Sequence, residues 1–290
     1  MVESYSADIT RAKPGCILFL LDMSSSMTDP FEHGMTRAGF LADALNRTLT
    51  ELAAACKRTD GVRHYFDIGL LTYSGNAAQA GLAGKLAGRT LVSIADLAAN
   101  PVRVERRIRK EPDGAGGIIE VEVPFPVFFE PQPTGATPMC SALRKATRVV
   151  AEWCETHAAS FPPIVMHITD GEATDGQPGE VEAAARTLTN LRTSDGYALL
   201  INLHIAGGGA PVRFPMQESA VPQNPSALAL FRSSSTLPPP LLERCFRRGL
   251  HVQAGSRAYI HNGAMEDVVA VFDIGTKAAA ERTALTPAER

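Results

Sequence analysis

Two spacings of apolar residues alternate along this chain. Residues 16–21 (Cys-Ile-Leu-Phe-Leu-Leu) are apolar without interruption and stop at Asp22, and residues 164–169 (Ile-Val-Met-His-Ile-Thr) form another largely apolar run that stops at Asp170. Short continuous runs predict strands covered on both faces, as in a parallel sheet. Residues 65–73 and 197–205 read the same way. Between 35 and 57 the spacing changes. Phe40, Leu41, Ala44, Leu45, Leu49, Leu52 and Ala53 recur with the period of an amphipathic helix. A second helix is predicted from Thr137-Pro138, with the proline at its first position, to about residue 157. Further helices are predicted over 180–191, 225–231 and 241–248, the last two separated by Pro238-Pro239-Pro240. Strand and helix in alternation predict an α/β fold, with a doubly wound, mostly parallel, Rossmann-like sheet and helices on both faces.

Residues 76–134 are less regular. A Gly-rich stretch (Gly81, Gly84, Gly88) precedes two alternating segments, 103–109 and 118–127, that flank Asp113-Gly114-Ala115-Gly116-Gly117. This predicts a β-hairpin insertion. A length of 290 residues suits about two domains, yet no Ser/Gly-rich or charge-block linker divides the chain. The expected organisation is one domain over 1–275, with 76–134 as an insertion and 276–290 as a flexible tail without a packing pattern.

Composition removes several function classes. With 45% hydrophobic and 20% charged residues and a net charge of −3, acidic and basic residues interspersed, the chain offers no field for nucleic acid or an anionic membrane. The most basic run, 103–110, is broken by Val104, Glu105 and Ile108 and reads as a solvated face. No stretch of 18 apolar residues exists, and the first residues lack the basic and apolar parts of a secretory signal, so a cytoplasmic location is expected. Five cysteines without a Cys-x-x-Cys pair indicate neither a disulfide framework nor a zinc site, but small buried residues. Asn46-Arg47-Thr48, without a signal, is a chance match to a glycosylation acceptor.

The chemistry gathers at strand ends. Asp22-Met23-Ser24-Ser25-Ser26 follows the first buried strand, Asp170 ends the later one, and Thr137 opens the helix before it. In open α/β sheets ligands bind outside the carboxyl ends of the strands. If the two strands are neighbours, the oxygens of Asp22, Ser24, Ser26, Thr137 and Asp170 converge there. Mg²⁺ takes about six oxygens at about 2.1 Å, usually through one or two carboxylates and several waters. Two aspartates neutralise the ion and three hydroxyls add no charge, so it would stay electrophilic towards a further anion. Mn²⁺ or Ca²⁺ suits the same oxygens. Taken singly, each piece has a plainer reading: Asp22 as a helix cap, the serines as a polar turn, Thr137 as an N-cap, Asp170-Gly171 as a turn. Their joint occurrence on one edge favours the metal.

These residues resemble the metal-ion-dependent adhesion site of von Willebrand factor A domains. The resemblance implies that Asp22, Ser24, Ser26, Thr137 and Asp170 ligate Mg²⁺ directly or through water, and that an acidic residue of a partner protein completes the shell. It runs in element order from about residue 14 to 205. The segments 68–74, 134–139 and 168–172 are similar to the intracellular bacterial branch, the tellurium-resistance-associated TerY-like proteins. That branch implies a signalling or stress-defence setting with Ser/Thr kinase or PP2C-type phosphatase partners, and fold resemblance does not fix the partner.

Other candidates have ordinary explanations. Glu172 and Asp175 read as exposed loop carboxylates with a possible role behind the ligands. His167 and His204 read as hydrogen-bonded core histidines, and Trp153 as core. Gly207-Gly208-Gly209 lacks a following helix start, residues 81–85 lack a P-loop pattern, and no Gly-x-Ser-x-Gly elbow occurs. Three functions compete: a non-catalytic metal-dependent binding module, with loops 28–35 and 206–224 adding selectivity; a Mg²⁺ phosphohydrolase using Asp22; and a scaffold binding through a metal-independent surface. The hydrolase is disfavoured because Ser24 stands where a second aspartate is wanted.

Overall fold

The structure, a computed structural model, describes residues 5–31, 34–112, 117–205, 210–247, 249–263, 267 and 270. The predicted tail 276–290, the Gly207-Gly208-Gly209 segment and most of the 113–117 turn lie outside the described residues.

In chain order the strands are β1 (Gly15–Asp22), β2 (Lys57–Arg58), β3 (Gly61–Val62), β4 (Phe66–Ser74), β5 (Ala77–Ala80), β6 (Leu91–Ser93), β7 (Arg103–Pro112) and β8 (Ile118–Val127). They continue with β9 (Ile164–Thr169), β10 (Arg192–Thr193), β11 (Gly196–Tyr197), β12 (Leu199–His204), β13 (Val212–Arg213) and β14 (Tyr259–His261). The helices are α1 (Arg37–Ala55), α2 (Ile94–Ala99), α3 (Met139–Thr156), α4 (Pro178–Thr189), α5 (Pro225–Ser233) and α6 (Pro239–Arg247).

The main sheet runs in the order β13-β14-β12-β9-β1-β4-β5, with β6 also paired to β4. β4, β1, β9, β12 and β14 are parallel, and antiparallel β5, β6 and β13 finish the two ends. The fold is therefore the expected mixed α/β one, a mostly parallel sheet between helices.

All eight residues of β1 are buried, which is why its sequence shows no alternation. Ile17, Phe19 and Leu21 enter a core shared with α1, α2 and α6. Cys16, Leu18 and Leu20 enter the opposite core with α3, α4 and α5. The chain passes from β1 to β4 on one side and later returns to β9 on the other. Winding reverses between β1 and β9, so the connections diverge there and leave a crevice at the strands' carboxyl ends. Each of the five cysteines is buried, as expected. Among the described residues no helix is long and apolar enough to cross a membrane.

Within the 76–134 segment, β5 and β6 pair with β4 and complete the main sheet. Four residues of Ala-Ala-Gln-Ala and three of Leu-Val-Ser are too short to show a period. Within this segment the predicted hairpin, β7 with β8, forms a sheet of its own. It is fastened to α1 by Arg107, which pairs with Asp43 and lies 3.4 Å over the Phe125 ring. Asn46 fastens its exit: the amide nitrogen donates to the Phe129 carbonyl at 2.9 Å, and its oxygen accepts from the Phe128 and Phe129 amides at 2.8 and 2.9 Å.

Candidate metal centre

Asp22 is the last residue of β1, and its backbone is held by the register with Tyr73 of β4. Its side chain lies on the same face of the sheet as Thr169 of β9, whose hydroxyl donates to Asp22 Oδ2 at 2.7 Å. The other oxygen, Oδ1, accepts the Ser24 amide at 2.9 Å. This short-range bond folds the chain back after the strand and begins a 3-10 turn, Ser25–Thr28. The loop is pinned from outside too: Met23 bonds the Tyr73 carbonyl, Ser25 the Gly135 carbonyl, and Thr134 the Met23 carbonyl.

The turn brings the two serines side by side, with Ser24 Oγ 3.1 Å from Ser26 Oγ. Ser26 Oγ donates in turn to Asp170 Oδ1 at 2.8 Å, crossing from the β1 loop to the β9 loop. Thr137 arrives from the start of α3. A side-chain carbon placed on Gly171 would stand 3.8 Å from Thr137 Oγ1 and 4.0 Å from Ser26 Oγ, so both hydroxyls flank the backbone just after Asp170. Thr137 is fixed by reciprocal bonds with Thr174, its amide to the Thr174 hydroxyl at 3.0 Å and its carbonyl to the Thr174 amide at 2.9 Å. All five residues singled out from the sequence thus meet at one sheet edge.

The electrostatics of the two carboxylates differ. Asp22 is wholly buried, and its oxygens receive hydrogen bonds from neutral donors. Burial pushes its carboxyl from 3.8 up to about 6; the Thr169 and Ser24 hydrogen bonds oppose the rise, and the neighbouring Asp170 charge adds to it. The Asp170 carboxylate is equally inaccessible, but its Oδ2 takes a 2.7 Å ion pair from Arg37 Nη1.

An all-oxygen set of two carboxylates and three hydroxyls fits a hard divalent ion. Ser24 and Thr169 bond the buried Asp22 carboxylate, and a carboxylate buried among neutral groups is energetically strained unless a cation compensates it. Among the described residues no cluster of three or more His, Cys, Asp or Glu side chains forms, so a zinc-like or iron-like donor set is not offered there.

The surrounding residues correct and extend the sequence reading. α3 starts at Met139 with Pro138 as its N-cap, and no Thr137 side-chain cap is made. The cap comes from Asp175, whose carboxylate accepts the Cys140 and Ser141 amides at 2.9 and 2.8 Å. That leaves the Thr137 hydroxyl free of a capping duty, and gives Asp175, an exposed loop carboxylate as expected, a structural role as well. Glu172 is exposed. His167 is a core histidine as expected, bonded to Tyr73 Oη and Asn202 Oδ1 at 2.7 Å each. His204 meets His261 at 3.0 Å, and Trp153, buried, donates to Asp67 at 2.8 Å. Hydropathy and motif spacing do not single out Arg37; its signal is a positive charge at the first residue of a helix, where the macrodipole disfavours one.

No family model matches this chain, and no curated protein matches it. Solved structures of similar shape do exist. One is proximal thread matrix protein 1 from the mussel byssus, 12% identical, with 94% of this chain covering 49% of that one at a TM-score of 0.47. A von Willebrand factor type A protein from Catenulispora acidiphila is 15% identical, with 67% covering 34% at 0.36. The manganese-loaded TRAP protein of Plasmodium vivax is 14% identical, with 68% covering 59% at 0.35. The chain therefore spans less than two thirds of each. At these identities nothing about ligand or partner passes from one protein to another; the fold rests on the sheet order given above.

Proposed function

We propose that this chain is a non-catalytic, Mg²⁺-dependent protein-binding module of the von Willebrand factor A type, gripping an acidic residue of a partner through its metal-ion-dependent adhesion site. The observation that carries the reading is the gathering of Asp22, Ser24, Ser26, Thr137 and Asp170 at the crevice beside β1, with Asp22 buried among neutral donors. A divalent ion held there would supply a Lewis-acidic attachment point for one further anionic oxygen. The chain's own residues do the rest: β1 and β9 fix the spacing of the two carboxylates, and the Ser24–Ser26–Asp170 hydrogen-bond chain keeps the two loops in register.

Selectivity needs more than one contact. Next to Gly171 a cavity of about 380 Å³ opens between α3, α4 and α5, with Met139, Ala173, Val181, Pro225 and Leu230 in its wall. It could seat an apolar side chain close to the gripped carboxylate. Asp22 as a phosphohydrolase nucleophile is the weaker reading, because Ser24 stands two residues on, where such an enzyme wants a second aspartate as general acid. A bacterial signalling or stress assembly with a Ser/Thr kinase or PP2C-type phosphatase, in the cytoplasm, is the setting that the resemblance to TerY-like proteins suggests.

Calorimetric titration with Mg²⁺ and Mn²⁺, on the wild type and on Asp22→Ala, tests the centre directly. Uptake of one ion by the wild type alone is expected, and binding of an Asp- or Glu-containing peptide pool should then vanish in EDTA. No ion uptake, or peptide capture indifferent to EDTA, would reject the module in favour of a metal-independent scaffold. Turnover of an aryl phosphate lost in Asp22→Asn would make it an enzyme.

A further inference from the structure

The candidate centre already contains a cation supplied by the chain itself. Arg37 is the first residue of α1, with Thr36 as the N-cap accepting the Gly39 amide. Its guanidinium leans back over the β1 loop, where Nη1 lies 2.7 Å from Asp170 Oδ2, 3.3 Å from Asp29 Oδ2 and 3.4 Å from the Ser26 carbonyl. Its Nε is buried and has no hydrogen-bond partner. A guanidinium in its preferred fork would pair two nitrogens with one carboxylate. Here a single nitrogen is shared among three acceptors, one of them a residue of the proposed metal set.

Asp170 is therefore fully engaged: Oδ1 by the Ser26 hydroxyl, Oδ2 by Arg37. A divalent ion drawing on Asp170 meets a positive charge already seated on it. The two acidic partners of Arg37 differ in one respect. The Asp170 side chain is inaccessible, whereas that of Asp29 is 57% exposed. Asp29 can keep the guanidinium at the rim, in water, without a role in the cradle.

We propose that Arg37 is a tethered counter-cation that competes with the divalent ion for Asp170, and that loading the centre passes Arg37 from Asp170 to Asp29. The proposal rests on the metal reading above. Arg37 stabilises the metal-free pocket by offsetting one of its two carboxylates, and it sets the ion concentration at which the pocket loads. Asp29 favours loading because it receives the guanidinium. Since Arg37 N–H bonds the Asp29 carbonyl and Asp29 N–H bonds the Ser26 carbonyl, the exchange stays within one short segment.

Free Mn²⁺ followed by electron paramagnetic resonance measures this without a partner or an activity. Arg37→Gln keeps a donor to Asp170 and drops the charge; it should bind Mn²⁺ about tenfold more tightly than the wild type, the scale of one charge-assisted hydrogen bond. Asp29→Asn, an exposed change that leaves the core untouched, should bind several-fold more weakly. Uptake by Arg37→Gln alone would be the extreme form of the expected result. Wild-type uptake with equal or weaker binding by Arg37→Gln would overturn the competition and leave the metal centre standing. Uptake by neither would remove both. Should Arg37→Gln fail to fold, Asp29→Asn decides: unchanged or tighter binding refutes the exchange.

Discussion

Replacing Asp22 by asparagine probes the centre while the partner is unknown. Burial of this carboxylate among neutral donors raises its pKa from 3.8 to about 6. Two units at about 1.4 kcal/mol each place ~3 kcal/mol of folding free energy against the ionised form. A raised folded value means that the group's contribution is complete below about pH 4 and is lost as pH rises through about 6, so the penalty is full at pH 7.5. Asparagine keeps the shape and removes the charge. Its oxygen can retain the Ser24 amide, but its amide must donate where the carboxylate accepted, and the Thr169 hydroxyl must then turn to the Gly171 carbonyl, 3.4 Å away. Subtracting about 1 kcal/mol for that poorer bond leaves a net gain on the order of 2 kcal/mol. Without metal, Asp22→Asn should be the more stable protein in urea at pH 7.5, and its advantage should shrink towards pH 4. With Mg²⁺ at a hundred times its dissociation constant the wild type should recover about 2.7 kcal/mol and the variant almost nothing. An asparagine variant that is less stable in EDTA, or that gains as much from Mg²⁺ as the wild type, would refute the reasoning.

Other positions yield simpler tests. Burial holds His167 at about 4, against its Asn202 hydrogen bond, with Tyr73 on its other nitrogen; its folded value is depressed, so its contribution is present above about 6.5 and lost as pH falls towards 4, by up to about 3 kcal/mol. His167→Gln should flatten that part of the pH–stability curve in urea unfolding, and an unchanged slope would count against a neutral buried imidazole. Asn46→Ala strands three backbone groups at the hairpin exit and should cost about 3 kcal/mol of unfolding free energy, with unchanged ion affinity in the same preparation. Gly135 has φ +65°, and a side-chain carbon there would meet the Gly75 backbone at 2.9 Å. Gly135→Ala should cost roughly 1–3 kcal/mol in thermal unfolding and weaken Mn²⁺ uptake, because the Gly135 carbonyl holds the Ser25 amide.

Much of the central sheet could be read from the chain because β1 and β9 are buried on both faces, β1 ending at Asp22 and β9 one residue before Asp170. Their continuous apolar runs are a signal that composition cannot mimic, and parallel pairing then puts Asp22 and Asp170 on one edge. The peripheral strands were hidden for the opposite reason: β5, β6, β13 and β14 are two to four residues long and have no room for a period. The five oxygen side chains lie at or just beyond the ends of long elements, so the pattern alone places them on one edge. Their hydrogen-bond partners could not be placed in this way. Asp175 caps α3 from 35 residues away and Arg37 reaches Asp170 across 133, and pairings of that separation leave no mark on local pattern.

On the proposed reading, the buried charges dictate the order in which the centre fills. The metal-free pocket holds two carboxylates against one guanidinium. An acidic residue arriving first would add a third negative charge to a water-poor crevice, where unpaired charge is disfavoured most. Once a divalent ion is held, the two aspartates are matched and the incoming carboxylate meets an ion with an open coordination position instead of two unpaired negative charges. Arg37, passed to Asp29 at the rim, no longer screens Asp170 and stays close to the approach. The ion must therefore precede the partner, and chelation should release a bound acidic peptide at the rate at which the ion leaves, whatever the peptide's own sequence.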